Sequence, residues 1–399
     1  MIRFNNHFIF RNKIYDMKRI RILMVPGAMS AGGLQNQLMH LLRNSDKARF
    51  QIDFTSTNSD DFYREEIESL GGSIHVIPPM NWKRPVPYCR AMMKIMREGQ
   101  YDVVHSHELF HSGITLWLAK RAGVPCRFVH AHNWKDGIAK RRPLIRTLYN
   151  SFMRVMINRY STVQIACSSW AGKFLYGKRM IRQDSYHLVF NSVDTREIID
   201  HYFDREDGEY CETDSWKQVL NVARIDPSKN QMFLAEIAKE FKSRGDRIRI
   251  LCVGTGNSDA IEKLSSVIAE EGLQEHLRLL GVRRDVPQLL RKCSAFVLPS
   301  IYEGMPLVMI EAQAAGLPCI SADTYSPEVD FGIGSVKWLS LDRGAAAWAD
   351  ELEKAVNRPR ADKAEVERAI QEKGFDSRQF TQKICALYEE DCSRRCLIK

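Results

Sequence analysis

Two glutamates with seven residues between them are the side chains of this sequence best suited to bind hydroxyl groups. Glu303 and Glu311 lie in the segment PSIYEGMPLVMIEAQAAGLPCI. The apolar run at 295–299 predicts a strand and the later pattern predicts a helix, so Glu303 falls in the loop and Glu311 in the helix. Isolated glutamates at a helix start are ordinarily stabilising charges. The whole string, with its glycines, prolines and glutamate spacing, favours a binding site instead.

The start of this predicted helix is suited to bind an anion. Pro306 fits the first helical position, where a missing N–H has no cost, and Gly316 fits the end of the helix. Amides at a helix start have no partner within the helix, and the helix dipole adds positive potential there. A phosphate bound at this point would leave both glutamates free to accept hydrogen bonds from sugar hydroxyls. The amides concerned are those of Met305, Leu307 and Val308.

Two cations follow the strand predicted at 219–222. In the string LNVARIDPSKNQ they are Arg224 and Lys229. Positive side chains at the carboxyl end of a strand suit a diphosphate leaving group, because they neutralise the charge that grows as the bond to phosphate breaks. Alone, the pair is equally well explained as solvated surface charge. Beside the glutamate motif, we favour the phosphate interpretation.

Histidines cluster at the ends of two other predicted strands, in DVVHSHE and VHAHN. Two such pairs allow a zinc site as one interpretation. No cysteine or acidic residue at metal-site spacing completes the set convincingly, so we predict that the protein holds no metal.

Glycine turns follow two further predicted strands. GAMSAGGLQNQL contains Gly32 and Gly33, and CVGTGNSD contains Gly254. Glycine lets a backbone approach a phosphate or a sugar closely. The first turn lacks the G-x-G-x-x-G spacing of a dinucleotide fingerprint, which argues against a nicotinamide-dependent oxidoreductase. The second turn is also explained as a tight turn with no ligand.

Short apolar strands that alternate with amphipathic helices must position these residues. Two such series run in tandem, which predicts an α/β protein with two doubly wound parallel sheets facing across a cleft. Ligands bind at the carboxyl ends of such strands, where the motifs above fall. The predicted parts are a tail at 1–16, an N-terminal domain at 17–193, an acidic linker at 194–216, a C-terminal domain at 217–374, and a final helix at 375–399 that packs back on the N-terminal domain.

The string around Glu303-x7-Glu311 resembles the signature of the GT4 family of retaining glycosyltransferases, which have the GT-B fold of two Rossmann-like domains. The likeness extends over most of residues 18–390. It implies that Glu311 holds the ribose of a nucleotide sugar and that Glu303 contacts the donor sugar. It also implies front-face attack, in which the departing phosphate oxygen deprotonates the acceptor hydroxyl.

The resemblance assigns roles to the other motif residues. Catalytic roles fall to His132, Arg224, Lys229 and Glu303. Donor-binding roles fall to Gly32, Gly33, Gly254, Arg283, Gly304, Met305, Pro306, Leu307, Val308 and Glu311. His107 is expected on the acceptor side, while His105 and His130 are expected to point the other way and to be structural.

The resemblance predicts an enzyme that moves a sugar from a nucleotide-diphosphate sugar, with uridine as the favoured base. It places the acceptor on the N-terminal domain and the nucleotide sugar on the C-terminal domain. The expected acceptor is a lipid-linked or polysaccharide precursor of capsule or exopolysaccharide. No cofactor or metal is expected, because protein cations and amides supply the positive charge. The alternative is a catalytically silent relative that binds a nucleotide sugar as a sensor or partner subunit.

The charge distribution and composition indicate which partners and which cell compartment to expect. The net charge is +9, and residues 135–160 alone contain seven Lys or Arg against one Asp. This stretch is either a core helix with a solvated basic face or a helix that binds an anionic membrane surface. No nucleic-acid module accompanies the charge, so we predict no nucleic-acid partner. Scattered cysteines and the lack of a signal peptide or long apolar run predict a cytoplasmic protein, with peripheral attachment to the inner membrane face in the second case.

Overall fold

The computed structural model describes residues 19–396 except positions 31, 60, 82, 134–142 and 204–214. Its strands are β1 (Ile20–Val25), β2 (Phe50–Ser56), β3 (Ile74–Val76), β4 (Val103–Ser106), β5 (Cys126–Ala131), β6 (Val163–Ala166), β7 (Tyr186–Leu188), β8 (Lys217–Val222), β9 (Ile248–Val253), β10 (Leu277–Gly281), β11 (Ala295–Leu298), β12 (Cys319–Ala322) and β13 (Val336–Leu339). Its helices are α1 (Gly33–Asn44), α2 (Arg64–Ser69), α3 (Val86–Glu98), α4 (Ser112–Ala122), α5 (Pro143–Tyr160), α6 (Ser169–Tyr176), α7 (Thr195–Phe203), α8 (Gln231–Arg244), α9 (Ser258–Glu270), α10 (Val286–Lys292), α11 (Leu307–Ala314), α12 (Gly344–Val356), α13 (Lys363–Lys373) and α14 (Ser377–Cys396).

The strands form two separate parallel sheets, which confirms the predicted pair of doubly wound α/β folds. Over the described residues, the first sheet has the order β3-β2-β1-β4-β5-β6-β7 and the second has the order β10-β9-β8-β11-β12-β13. All pairings are parallel. The central strands are buried along almost their whole length, as expected for sheets covered by helices on both faces.

The strand order of each sheet reverses at its first strand, and this reversal places the ligand crevice. In the first sheet β2 and β4 lie on opposite sides of β1, and in the second sheet β9 and β11 lie on opposite sides of β8. The connections therefore leave in opposite directions at the carboxyl ends of β1 and β8, which opens a crevice there. The loops after β1, β4 and β5 on one side and after β8, β9 and β11 on the other are therefore the ones able to bind a ligand.

The first part of the predicted linker is a helix in the structure. Residues Thr195–Phe203 form α7, whose side chains Ile198 and Ile199 are buried. This helix packs against α10, α11 and α13 of the second domain. Two adjacent isoleucines bury enough apolar surface to hold a helix that is otherwise acidic and polar. Most of the remaining predicted linker, and the predicted tail at 1–16, lie outside the described residues.

The last helix returns to the first sheet. Helix α14 contacts α1 and β5, and it buries Ile384, Tyr388 and Cys392 in the same apolar cluster as residues of β1, β2 and β5. The Tyr388 hydroxyl lies 2.6 Å from Nδ1 of His105 on β4. The N-terminal sheet is therefore covered on one face by the C-terminal end of the chain.

Candidate active site

A cavity of about 530 Å³ lies between the two domains at the carboxyl ends of both sheets. It brings together most of the residues selected from the sequence. Those that line it are Gly32, Gly33, His107, His132, Arg224, Lys229, Gly254, Glu303, Gly304, Met305, Pro306, Leu307 and Val308.

Two predicted donor-binding residues do not line this cavity. Arg283 follows β10 and forms a 2.5 Å ion pair with Asp285 on the surface. Glu311 lies inside α11 and faces α7 of the predicted linker; burial, reinforced by the nearby carboxylate of Glu197, raises the pKa of Glu311 to about 7. Their roles toward a nucleotide stay predictions.

Lys229 and Glu303 form an ion pair at the floor of the cavity. The Lys229 ammonium donates to both carboxylate oxygens of Glu303 at 2.6 Å, and Ser300 donates a hydroxyl hydrogen bond to the same carboxylate at 2.8 Å. Both charged side chains are largely buried. The Arg224 guanidinium is held less firmly than the Lys229 ammonium. Its side chain is 74% exposed, and its ion pair with Asp226 is long, at 3.7 Å. One cation is thus fixed in advance, and the other is free to swing toward a ligand.

The helix that supplies backbone amides begins one residue later than predicted. Pro306 is extended, with a ψ of 118°, and precedes the helix, so Leu307 is the first helical residue. Burial of Met309 and Ile310 fixes the helix against the core. The amides of Leu307 and Val308 have no acceptor within a helix that starts there, so they face the cavity as positively polarised groups.

The two domains touch at the centre of the cavity. Gly304 lies so close to the backbone carbonyl of His132 that a Cβ atom at position 304 would overlap its oxygen. Beside this contact, the side-chain amide of Asn191 donates to the backbone carbonyl of Met305 at 3.0 Å. Elsewhere between the domains, the Ser169 backbone N–H donates to the Glu328 carboxylate at 2.7 Å. Two hydrogen bonds and one contact that only glycine permits therefore hold the domain faces together.

The histidines form one stack, so His105 and His130 do not point away from the other two as expected, although only His107 and His132 line the cavity. Rings of His105, His107, His130 and His132 follow one another with neighbouring centroids 4.1–5.6 Å apart. The reason is the strand period: residues two apart lie on the same face of β4 and β5. His107 Nδ1 lies 2.9 Å from His132 Nε2. Burial lowers the pKa of His132 to about 3, so the imidazole is neutral at pH 7.

Nitrogen atoms of His105, His107 and His130 lie within 4.8 Å of one another. The ring planes of His105 and His130 are 5° from parallel with centroids 5.6 Å apart, an arrangement in which rings stack face to face. The Nε2 atoms of these three rings have no hydrogen-bond partner among the described residues, so the geometry by itself neither requires nor excludes a bound ion. We keep the prediction that no metal is required.

Sequence reasoning missed one acidic residue of the cavity. Glu108 lines it next to His107, and its carboxylate accepts hydrogen bonds from the Tyr88 hydroxyl at 3.1 Å and the Thr115 hydroxyl at 3.0 Å. Burial raises the pKa of Glu108 to about 7. The available signal was an acidic residue directly after a histidine pair at a strand end.

Two doubly wound domains that present cations and a helix start to a shared cavity define the GT-B class of glycosyltransferases. Residues 206–374 match the family model for glycosyl transferases group 1, and residues 31–197 match the model for glycosyltransferase family 4. The chain belongs to glycosyltransferase family 4, and it is an enzyme of the transferase type.

Known proteins resemble the chain over nearly its whole length. The putative glycosyltransferase EpsF of Bacillus subtilis is 32% identical over 90% of this chain and 94% of its own. The capsular polysaccharide biosynthesis glycosyltransferase CapH of Staphylococcus aureus is 24% identical over 85% of this chain and 91% of its own. Anabaena Alr3699/HepE, solved in complex with UDP, aligns with a TM-score of 0.71 at 16% identity over 93% of this chain and 100% of its own. This last likeness supports the shared fold.

Proposed function

We propose that the protein is a retaining glycosyltransferase that uses a UDP-sugar and extends a lipid-linked or polysaccharide precursor of a capsule or exopolysaccharide. The observation that carries this proposal is the single cavity in which Arg224, Lys229 and the α11 amides face the histidines of the other domain. A relative named for capsular polysaccharide biosynthesis and a UDP complex of the same fold support the pathway and the base.

In the proposed reaction, the acceptor oxygen forms a bond to C1 of the donor sugar while the bond from C1 to the diphosphate oxygen breaks. The electron pair of the broken bond stays on the diphosphate, and the acceptor proton passes to a phosphate oxygen on the same face. Lys229, Arg224 and the first amides of α11 stabilise the growing negative charge. No protein nucleophile and no metal takes part in these steps.

In this scheme Glu303 has two tasks. Its ion pair holds Lys229 under the place where the diphosphate would bind, and its oxygens accept hydrogen bonds from donor-sugar hydroxyls once the phosphate competes for the ammonium. His132 lies beside Gly304 on the opposite face of the cavity. Because its imidazole is neutral, it is able to accept or donate a hydrogen bond to the sugar without adding charge.

The first test is a thermal-shift panel of nucleotides and nucleotide sugars on the purified protein. A ligand that binds the folded state raises the melting temperature, and the rise grows with the ratio of ligand concentration to Kd. We expect UDP and one UDP-sugar to give the largest rise.

Two variants test the site residues. Glu311→Ala should weaken nucleotide-sugar binding about tenfold. Lys229→Ala should mainly lower turnover, by about 10²–10³-fold, as removal of one charge-stabilising donor does. Wild-type kinetics in both variants would refute the roles proposed for Glu311 and Lys229.

The membrane part of the proposal rests on α5. Five large apolar side chains of this helix are 60–72% exposed; they are Leu144, Ile145, Leu148, Phe152 and Val155. Met153 and Ile157 on the opposite side are buried, so the core explanation fails for the stripe that contains Leu144, Leu148 and Phe152. Exposed apolar patches of this kind mark interaction surfaces.

Basic residues accompany this apolar face only in part. Arg159 is exposed beside it, but Arg154 is held by the carbonyls of Phe174 and Leu175 at 2.8 and 3.1 Å. The other basic residues at 135–142 lie outside the described residues. Among those described, no helix is both long enough and apolar enough to cross a bilayer. We therefore propose that α5 lies on an anionic membrane surface with its apolar face in the headgroup region.

Vesicle binding tests this surface directly. With phosphatidylglycerol vesicles we expect co-sedimentation that falls as salt rises, and less binding to phosphatidylcholine. Leu148→Ser together with Phe152→Ser should weaken binding about tenfold or more, because each buried apolar side chain contributes about 1.5–3 kcal/mol. Val282→Ser, at a residue of the second domain that is 70% exposed, is the matched control. Binding that ignores both salt and the paired change would refute the role of α5.

A further inference from the structure

Glu108 is placed in the cavity by an unusual backbone. Leu109, the next residue, has a φ of +49° although it is not glycine, a conformation that persists only where the surroundings fix it. Residues 107–109 all line the cavity as a result. One Glu108 oxygen, Oε2, accepts both hydroxyl hydrogen bonds, from Tyr88 on α3 and Thr115 on α4. The carboxylate is therefore anchored from two helices, in a residue that lines the space between the domains.

The chemistry around Glu108 limits what it is able to bind. The positive groups of the cavity, Arg224 and Lys229, come from the second domain, so a diphosphate belongs there. A second negative charge beside Glu108 would be repelled. Its neighbours His107 and His132 are neutral at pH 7, because burial lowers the pKa of each imidazole. The group that suits Glu108 is therefore an uncharged hydrogen-bond donor, namely a hydroxyl.

We propose that Glu108 binds the attacking hydroxyl of the acceptor through a hydrogen bond to its carboxylate. This inference rests on the proposed function, because it assigns the acceptor side of the same cavity. The hydroxyl then lies between Glu108 on the first domain and the donor sugar above Glu303 on the second. Glu108 orients the oxygen lone pair toward C1, while the proton still leaves to the phosphate. Only the ionised carboxylate is a full acceptor, so the titration of Glu108 becomes visible in the rate.

The experiment uses the whole protein, UDP-glucose and UDP-galactose as donors, and water as the attacking group, with released UDP measured from pH 6 to 8.5. A carboxylate with a pKa of about 7 is ionised about tenfold more at pH 8 than at pH 6, so the wild-type rate should rise about tenfold. Glu108→Gln keeps the shape and the hydroxyl contacts. It should remove this rise and lower the rate at pH 8 by about 10- to 100-fold.

Two further variants separate positioning from general damage. Tyr88→Phe and Thr115→Val each remove a hydrogen bond that lowers the pKa of Glu108, so the rise should move to higher pH without vanishing. Glu65→Gln on the exposed face of α2 is the control. A Glu108→Gln enzyme with the wild-type rate and pH profile would overturn the inference alone. A wild-type protein that releases no UDP from any nucleotide sugar would overturn the proposed function as well.

Discussion

Gly304→Ala is expected to lower turnover by about 100-fold or more while the protein still folds and binds UDP. A methyl group at this position overlaps the carbonyl oxygen of His132 across the cavity, so the two domain faces must move apart. Most of the residues predicted to bind the donor lie on the second domain, and His107, predicted on the acceptor side, lies on the first. A displacement of about 1 Å between reacting groups costs about 10²-fold in rate. Turnover and UDP binding, measured on the same preparation, test this expectation.

A matched substitution inside one domain makes the test specific. A Cβ atom at Gly256 would overlap the Ile225 carbonyl, with both residues in the second domain. Gly256→Ala should therefore lower the melting temperature, because the strain has no domain movement to relieve it. Gly304→Ala should change the melting temperature much less. Full activity in Gly304→Ala would show that catalysis does not use the closed arrangement of the two faces.

Acid is expected to unfold the protein between about pH 6 and pH 4.5. Burial lowers the pKa of His105 to about 3 and that of His107 and His130 well below the ordinary value. The unfolded chain, with a histidine pKa of about 6.5, binds protons first, so the stability from these neutral rings is complete above that pH and is lost as the pH falls. At pH 5 the loss is about 2 kcal/mol for each of the two rings whose pKa is about 3, His105 and His132, and protonation of His107 and His130 acts in the same direction.

The measurement is the melting temperature at several pH values. His130 Nε2 has no hydrogen-bond partner among the described residues, so His130→Leu removes a proton-binding site without removing a hydrogen bond made by that atom. It should lower the acid midpoint and reduce the loss of stability between pH 7.5 and pH 5. His75→Gln, at a half-buried residue of β3 outside the stack, is the comparison variant. An identical pH dependence in His130→Leu would contradict the role of the stack.

The fold was predictable because its signals are local. The apolar run at 295–299 predicts a strand that the structure has at Ala295–Leu298, and alternation with helices implies the parallel sheets. Strand β13 and helices α12 and α13 were not predicted. The four residues of β13 include Lys337 and none of the four is fully buried, so an edge strand of this kind has no distinctive pattern.

Site residues could be predicted from the sequence where they lie in one contiguous motif. Contacts between elements distant in the sequence could not be predicted. The Glu303 string placed the helix start within one residue. The ion pair between Lys229 and Glu303 joins two loops, and the anchoring of Glu108 joins α3 and α4 to the end of β4. Such contacts follow from sheet topology, which composition and spacing do not specify.

Helix α14 has a consequence for how the protein is made. Because Tyr388 and its neighbours cover β4 and β5, the first domain lacks part of its core until the last helix leaves the ribosome. Nascent chains that end before residue 377 would expose the apolar side of that sheet, along with His105, to chaperones and proteases. Folding of the N-terminal half therefore depends on a helix that is synthesised long after its own strands.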